Sequence, residues 1–102
     1  MSHLPDIERY LELTREVLPR KARAAHIHWP VRYDHCFQRI VLDTICGGVW
    51  YNHLQRPAYL HLTEAQAREA VALCEDILTE RADLWALNTQ SLAWRGKIRN
   101  AG

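Results

Sequence analysis

The chain of 102 residues has little of several features that would define its class at once. Its three cysteines include no CxxC pair, and their odd number argues against a disulfide framework. No run approaches the ~18–20 apolar residues that a membrane-spanning helix needs. The first residues lack the apolar core of a signal peptide. Together these absences predict a reduced, cytoplasmic protein that makes no contact with membranes.

Excess charge and strand patterns are also missing. The net charge of +1 excludes a strongly polybasic or polyacidic protein. No segment alternates apolar and polar residues between turn signals, so we expect no β-sheet. The composition, with 48% hydrophobic and 25% charged residues, is typical of one globular domain. We expect this domain to span residues 1–102, with disordered ends at about 1–3 and 98–102.

Apolar residues recur at the spacing of amphipathic helices in four segments, which predicts an all-α, compact bundle of about four helices. We expect the first helix to cover residues 5–18 and to end at Pro19, because proline disfavours helix in the residue before it. An irregular but ordered segment should follow over residues 20–33. Every second side chain in part of it is apolar and expected to be buried, namely Ile27, Trp29, Val31 and Tyr33.

The third and fourth helices carry clear end signals. Thr63 and Gln66 match a capping box, in which each side chain bonds the free backbone N–H of the other residue. Asp83 is expected to cap the fourth helix, and Gly96 to close it. The residues between the second and third helices, 52–62, should form a connection with its aromatic and leucine side chains turned inward.

The second helix has an unusual polar face. We expect this helix to begin at about Asp34, a common N-cap residue, and to reach Cys46 or beyond, before Gly47. Outside its apolar arc it carries residue types used in acid–base, thiol and anion chemistry: His35, Cys36, Arg39, Asp43, Cys46 and Trp50. Two interpretations stay open. The face contacts a ligand, or it is covered and holds only a helix ion pair and small core cysteines.

One hypothesis for this face is a small enzyme whose catalytic residues are His35, Asp34, Cys36 and Asp43. The histidine would be the general acid–base, an aspartate would orient it, and the cysteine is the candidate nucleophile. The sequence also supplies enough nitrogen and sulfur ligands for one zinc ion: His26, His28, His35, Cys36, His53 and His61. However, neither HxxxH nor CxxC spacing occurs, so we predict no cofactor and no metal, with zinc as the alternative.

The leading hypothesis is a small helical binding domain that contacts nucleic acid or a nucleic-acid-associated protein. Basic residues follow the first and last helices: Arg20, Lys21, Arg23, Arg95, Lys97 and Arg99. The central segment adds the candidate ligand-binding residues Trp29, Arg32, Tyr33, Arg39, Trp50 and Arg56. Arginine forks pair with phosphate, and aromatic rings stack on bases. Basic residues at helix ends are also expected from the helix dipole alone.

A third hypothesis is a homo-oligomeric or adaptor module, with a homodimer as its simplest form. The chain has four tryptophans and eleven arginines against two lysines. Four tryptophans are more than a small core readily absorbs. Tryptophan, tyrosine and arginine are favoured at the centres of protein interfaces.

The pattern WPVRYDHCF at residues 29–37, with SLAWRGK at 91–97, resembles a small family of uncharacterised bacterial proteins. Some of its members are labelled GCN5-related acetyltransferases. Enzymes of that kind are built on a mixed sheet with a glycine-rich pyrophosphate loop, and this sequence contains neither. The resemblance therefore implies a bacterial origin and no particular mechanism.

Overall fold

The structure, a computed structural model, describes residues 4–24 and 27–96. Over these residues the chain forms an all-α bundle, as predicted, and contains no strand. Its helices are α1 (Leu4–Glu12), α2 (Leu18–Ala22), α3 (Asp34–Cys46), α4 (Glu64–Leu78) and α5 (Leu84–Trp94). A π-helical turn, Leu13–Val17, joins α1 to α2 without a break, so these segments make one helix. The connection from α3 to α4 contains two short 3₁₀ turns, Trp50–Asn52 and Ala58–Leu60.

The prediction that Pro19 ends the first helix is wrong, because the helix continues to Ala22. The backbone N–H of Leu18 donates to the carbonyl of Leu13, which is the longer hydrogen bond of a π turn. After this turn the α-helical pattern starts again at Leu18. Pro19 therefore occupies the first turn of α2, where a residue without an N–H is tolerated.

The core lies where the first helix, α3 and α4 meet. Tyr10, Phe37 and Ile77 are at most 1% exposed, and the small residues Ala67 and Ala70 of α4 are fully buried. α1 packs against α4, and α3 packs against both α4 and α5. The apolar stripes that the sequence predicts on α3 and α4 are thus the surfaces that meet in the core.

The predicted helix ends of α4 and α5 are confirmed. The N–H of Gln66 donates to Thr63 Oγ1 at 3.0 Å, and the N–H of Thr63 donates to Gln66 Oε1 at 2.9 Å. Asp83 caps α5 by accepting from the N–H of Ala86 at 3.2 Å. Gly96 follows α5 with a φ of +67°, a conformation that favours glycine.

The segment before α3 agrees with the prediction only in part. Ile27 and Val31 are buried, and Trp29 is half-buried with its ring edge-on to Phe37 at 5.8 Å. Tyr33, however, is 66% exposed and stacks on His35 instead of entering the core. Residues 20–22 belong to α2 and not to the irregular segment.

The ends of α3 differ slightly from the prediction. Asp34 is the first helical residue and Tyr33 takes the N-cap position. The Asp34 carboxylate accepts a hydrogen bond from the N–H of His35 at 2.8 Å. Gly47, with a φ of +70°, ends the helix as expected.

No helix in the described part of the chain is both long and apolar enough to cross a bilayer. The predicted disordered ends, residues 1–3 and 98–102, lie outside the described residues.

Candidate functional site

A pocket of about 670 Å³ opens between the first helix, α3 and the connection after α3. It has the size of a typical small-molecule site, ~300–1,000 Å³. Its lining includes four arginines and four aromatic residues: Arg15, Arg39, Arg56, Arg95, Tyr10, Trp50, Tyr51 and Tyr59. No aspartate or glutamate occurs among the described lining residues. The pocket therefore combines positive charge with flat apolar surfaces.

Asp43, in the last turn of α3, is the centre of a buried hydrogen-bond network. Its side chain is fully buried, and its two oxygens accept four hydrogen bonds. Arg95 Nε donates to Oδ2 at 2.8 Å and Arg95 Nη2 donates to Oδ1 at 3.0 Å. The Ser91 hydroxyl donates to Oδ2 at 2.7 Å, and the backbone N–H of Trp50 donates to Oδ1 at 3.0 Å. Asp43 thus ties together α3, α5 and the 3₁₀ turn that starts the pocket wall.

Arg95 is consequently a paired cation. Its two-pronged contact with Asp43 is the geometry of a strong charge-assisted hydrogen bond. This hydrogen bonding raises the pKa of Arg95 above its ordinary value. The guanidinium also lies over the ring of Tyr51, 5.3 Å from its centroid.

Arg39, one helical turn before Asp43, does not form the helix ion pair that the sequence allows. Its Nη1 donates to Ser91 Oγ at 2.7 Å, and its Nη2 donates to Asn88 Oδ1 at 2.7 Å. Both acceptors are neutral, and burial lowers the pKa of Arg39. Among the described residues, Arg39 reaches a carboxylate only through the Ser91 hydroxyl, which itself donates to Asp43.

The remaining two arginines of the pocket lie over aromatic rings. The Arg56 guanidinium is 5.2 Å from the ring centroid of Trp50 and 5.1 Å from that of Tyr51. Arg15 lies 5.8 Å from the ring centroid of Tyr59. Within the described residues neither guanidinium has a carboxylate partner. A ring face orients a guanidinium and leaves its in-plane N–H donors available for an anion.

The residues of the enzyme hypothesis are separated along α3. His35 lines the pocket but is largely exposed, with its Nδ1 3.5 Å from Asp34 Oδ1. Its ring stacks on Tyr33 at 5.8 Å. Cys36 is half-buried, whereas Asp43 lies at the other end of the helix in its own ion pair. Asp34 is thus the aspartate placed next to His35.

The candidate ligand-binding residues fall into two groups. Arg39, Trp50 and Arg56 meet in the pocket, as a single site requires. The other three, Trp29, Arg32 and Tyr33, are not among its described lining residues.

The basic residues that follow the first helix and those that follow the last helix form two clusters, here called the basic edges, and their side chains differ in their contacts. The Lys21 ammonium donates to the carbonyl oxygen of Leu78 and lies 5.5 Å from the Trp29 ring centroid. Arg20 and Arg23 are exposed, and Arg95 is held by Asp43. Lys97 and Arg99, the other members of the second edge, lie outside the described residues.

Possible metal ligands do not gather in the part of the chain that the structure describes. No three histidine, cysteine, aspartate or glutamate residues are grouped there in a way that could hold an ion. Of the histidines considered as zinc ligands, His26 lies outside the described residues.

Sequence reasoning misses six residues of this site. Four of them line the pocket, namely Tyr10, Arg15, Tyr51 and Tyr59. Asn88 and Ser91 hold Arg39, and a sign of this role is present in the sequence. Each follows an inward leucine of α5, Leu84 or Leu87, at the i+4 spacing that puts both on one side of the helix, and a buried polar side chain there needs a hydrogen-bond partner. The identity of that partner requires the tertiary fold.

Fold and site together define a small all-α domain with a cationic, aromatic-lined pocket. Comparison with models of protein families, with curated proteins and with solved structures found no match.

Proposed function

We propose that the protein is a small helical binding domain whose pocket binds an organic anion with a flat, apolar part. The observation that carries the proposal is the state of Arg39. Its guanidinium is held in the pocket by two neutral acceptors at 2.7 Å, beside three further arginines and no described acidic lining residue. Binding of a carboxylate or phosphate to a cation in this state is favourable, because it forms a charge-assisted hydrogen bond.

The aromatic residues account for the rest of the ligand. Trp50 is half-buried and Tyr51 is exposed, and their rings meet edge to face with their centroids 5.7 Å apart. Rings of this kind bind planar groups by stacking and by burying apolar area. The ligand class therefore has a negatively charged group for the arginines and a ring for the aromatic wall.

A nucleotide or an end of single-stranded nucleic acid belongs to this class, since phosphate and base supply both groups. The exposed Arg20 and Arg23 are the part of the basic edges that could add contacts to further phosphates. This keeps the nucleic-acid hypothesis as the macromolecular form of the proposal.

Isothermal titration with phenyl phosphate, benzoate and adenosine monophosphate tests the pocket. We expect at least one of these to bind, and Arg39→Gln to weaken its binding by about ten-fold or more, equal to ~1.4 kcal/mol. Arg68→Gln is the matched control, because Arg68 is an exposed arginine on α4 that pairs with Glu64 at 3.1 Å. If none of the three anions binds, or if both variants bind equally well, the proposal is wrong.

Fluorescence anisotropy with a labelled oligothymidine tests the nucleic-acid form. We expect binding at low ionic strength that weakens as salt rises, because phosphate contacts release counterions. Arg39→Gln should weaken this binding as well. If the affinity depends neither on the salt concentration nor on the Arg39→Gln substitution, the oligonucleotide binds elsewhere on the molecule and the nucleic-acid form of the proposal is wrong.

A further inference from the structure

The four pocket arginines differ in the charge that they offer to a ligand. Arg95 is neutralised by Asp43, with an Nε–Oδ2 distance of 2.8 Å. Arg15 also borders a second depression, which three glutamates of the first helix line. Arg39 and Arg56 are left as pocket cations without a carboxylate partner among the described residues. The pocket therefore offers two positive charges that nothing in its described lining neutralises.

Arg39 and Arg56 are both neighbours of Arg95. A serine hydroxyl of α5 accepts from Arg39 and donates to the carboxylate that holds Arg95. The guanidinium groups of Arg56 and Arg95 lie over the same ring, that of Tyr51, at 5.1 Å and 5.3 Å from its centroid. Burial lowers the pKa of Arg39, and the positive charge of Arg95 lowers it further. Cations gathered in this way repel one another, and an anion that extends over adjacent groups relieves this repulsion.

Arg39 and Arg56 are each held in place by uncharged groups. Two neutral acceptors at 2.7 Å hold the guanidinium of Arg39. Arg56 lies in the corner between Trp50 and Tyr51, whose ring planes are inclined at 83° to each other. A guanidinium that is already positioned loses little side-chain entropy when an anion binds to it. The pocket thus contains two positioned anion sites, one on each of these arginines.

We infer that the ligand of this pocket is an organic diphosphate of the nucleoside diphosphate class, with one phosphate on Arg39 and the second on Arg56. The inference rests on the proposed function, which supplies the flat part of the ligand and the role of Arg39. A single phosphate takes Arg39, because this guanidinium is half-buried and less hydrated than that of the exposed Arg56. A linked second phosphate then pairs with Arg56, whose planar N–H donors match phosphate oxygens. A monophosphate or a carboxylate leaves Arg56 without an anion.

Isothermal titration with adenosine monophosphate and adenosine diphosphate tests the inference. Both titrations are done at one ionic strength and with a chelator, so that no divalent cation masks the phosphates. We expect the wild type to bind the diphosphate at least about ten-fold more tightly than the monophosphate, the effect of one added charge-assisted contact. Arg56→Gln should lose most of this preference. Arg39→Gln should weaken the binding of both nucleotides, because both place a phosphate on Arg39.

Arg68→Gln is the matched control, because it changes the net charge of the chain by the same amount as Arg56→Gln. Arg68 is exposed on α4 and pairs with Glu64 outside the described lining of the pocket. We expect Arg68→Gln to keep the full preference for the diphosphate. A general attraction between the protein and a more highly charged ligand would instead fall equally in both variants. Circular dichroism should show both variants to be as helical as the wild type, because both positions are exposed.

The outcomes separate this inference from the proposed function. The inference is overturned if the wild type binds the diphosphate no more tightly than the monophosphate, whereas binding of the monophosphate still supports the proposed function. It is equally overturned if Arg56→Gln keeps the preference for the diphosphate, or if Arg68→Gln loses as much of it. If neither nucleotide binds, the inference is wrong, and the titrations with phenyl phosphate and benzoate decide separately on the proposed function.

Discussion

Arg39 and Arg95 line the same pocket, yet their surroundings are opposite. Arg95 extends from the end of α5 to a fully buried carboxylate, and hydrogen bonding to Asp43 raises its pKa. Arg39 extends from α3 to two neutral groups of α5, and burial lowers its pKa. A cation that is already paired stabilises the fold. A cation held only by neutral acceptors keeps its charge available, and this contrast separates the structural arginine from the candidate binding arginine.

The largest expected effect comes from breaking the paired side of this comparison. Asp43→Asn keeps the size of the side chain but leaves Arg95 without its counter-ion, and it brings an amide NH₂ close to the donors around it. We expect a loss of about 3–5 kcal/mol in the free energy of unfolding, as is typical when one partner of a buried ion pair is removed. Urea denaturation followed by circular dichroism measures this loss.

An exposed pair on the first helix provides the control for Asp43→Asn. Arg9 Nη1 lies 2.7 Å from Glu12 Oε1, with both side chains in contact with solvent. Because exposed ion pairs contribute little to stability, Glu12→Gln should leave the free energy of unfolding nearly unchanged. If Asp43→Asn and Glu12→Gln lower the free energy of unfolding by equally small amounts, the buried pair stabilises the protein no more than the exposed pair does.

A smaller effect is expected where the two arginines are joined. The Ser91 hydroxyl accepts from Arg39 and donates to Asp43, so Ser91→Ala removes one bond from each side. We expect it to destabilise the protein by about 1–3 kcal/mol, the cost of leaving buried polar groups unsatisfied. It should also weaken anion binding, because Arg39 loses one of its two positioning acceptors.

Urea denaturation and titration of the Ser91→Ala variant together measure both consequences. If its stability falls while anion binding stays intact, Asn88 alone suffices to position Arg39. If neither property changes, the hydroxyl does not connect the two arginines.

The smallest expected effect concerns the reactivity of the three thiols. Cys36 lies in the first turn of α3, Cys46 is its last residue, and Cys74 lies in the core. Cys36 and Cys46 are half-buried on α3, and burial raises the pKa of Cys46. Cys74 is fully buried in α4, where burial raises its pKa to about 12. Since the thiolate is the reactive form, we expect labelling at pH 8 in the order Cys36, Cys46, Cys74.

Mass spectrometry of the labelled native protein reads this order directly. Labelling of denatured protein supplies the control, because all three thiols are then equally accessible. If Cys36 reacts no faster than Cys74, the role of Cys36 as a nucleophile in the enzyme hypothesis is excluded.

The parts of the fold that the sequence predicts well depend on neighbouring residues. The capping box of Thr63 and Gln66 and the glycine turn at Gly47 are fixed by contacts within a few positions. The end of the first helix depends on a π turn, which shifts the hydrogen-bond pattern without an evident signal in the sequence. The rule that a helix ends before proline therefore fails at Pro19, because the α-helical pattern starts again at Leu18 after the π turn.

The site could be predicted only by residue type. The sequence shows that the polar face of α3 is unusual and that Arg39, Trp50 and Arg56 are candidate ligand-binding residues. It does not show that Asp43 pairs with Arg95, because 52 positions separate them. The same limit applies to Arg15 and Tyr59, which reach the pocket from elements far apart in the chain.

The π turn in the first helix also changes the phase of that helix. A π turn holds about one residue more than an α turn, so side chains after it are rotated by about 100° relative to an uninterrupted α-helix. α1 packs on α4, Arg15 within the turn lines the pocket, and Lys21 of α2 reaches the carbonyl of Leu78 at the end of α4. A single additional residue thus lets one helix contact two surfaces that lie in different directions. Removal of one residue from this turn would restore the α-helical phase, so the segments before and after the turn could not both keep these contacts.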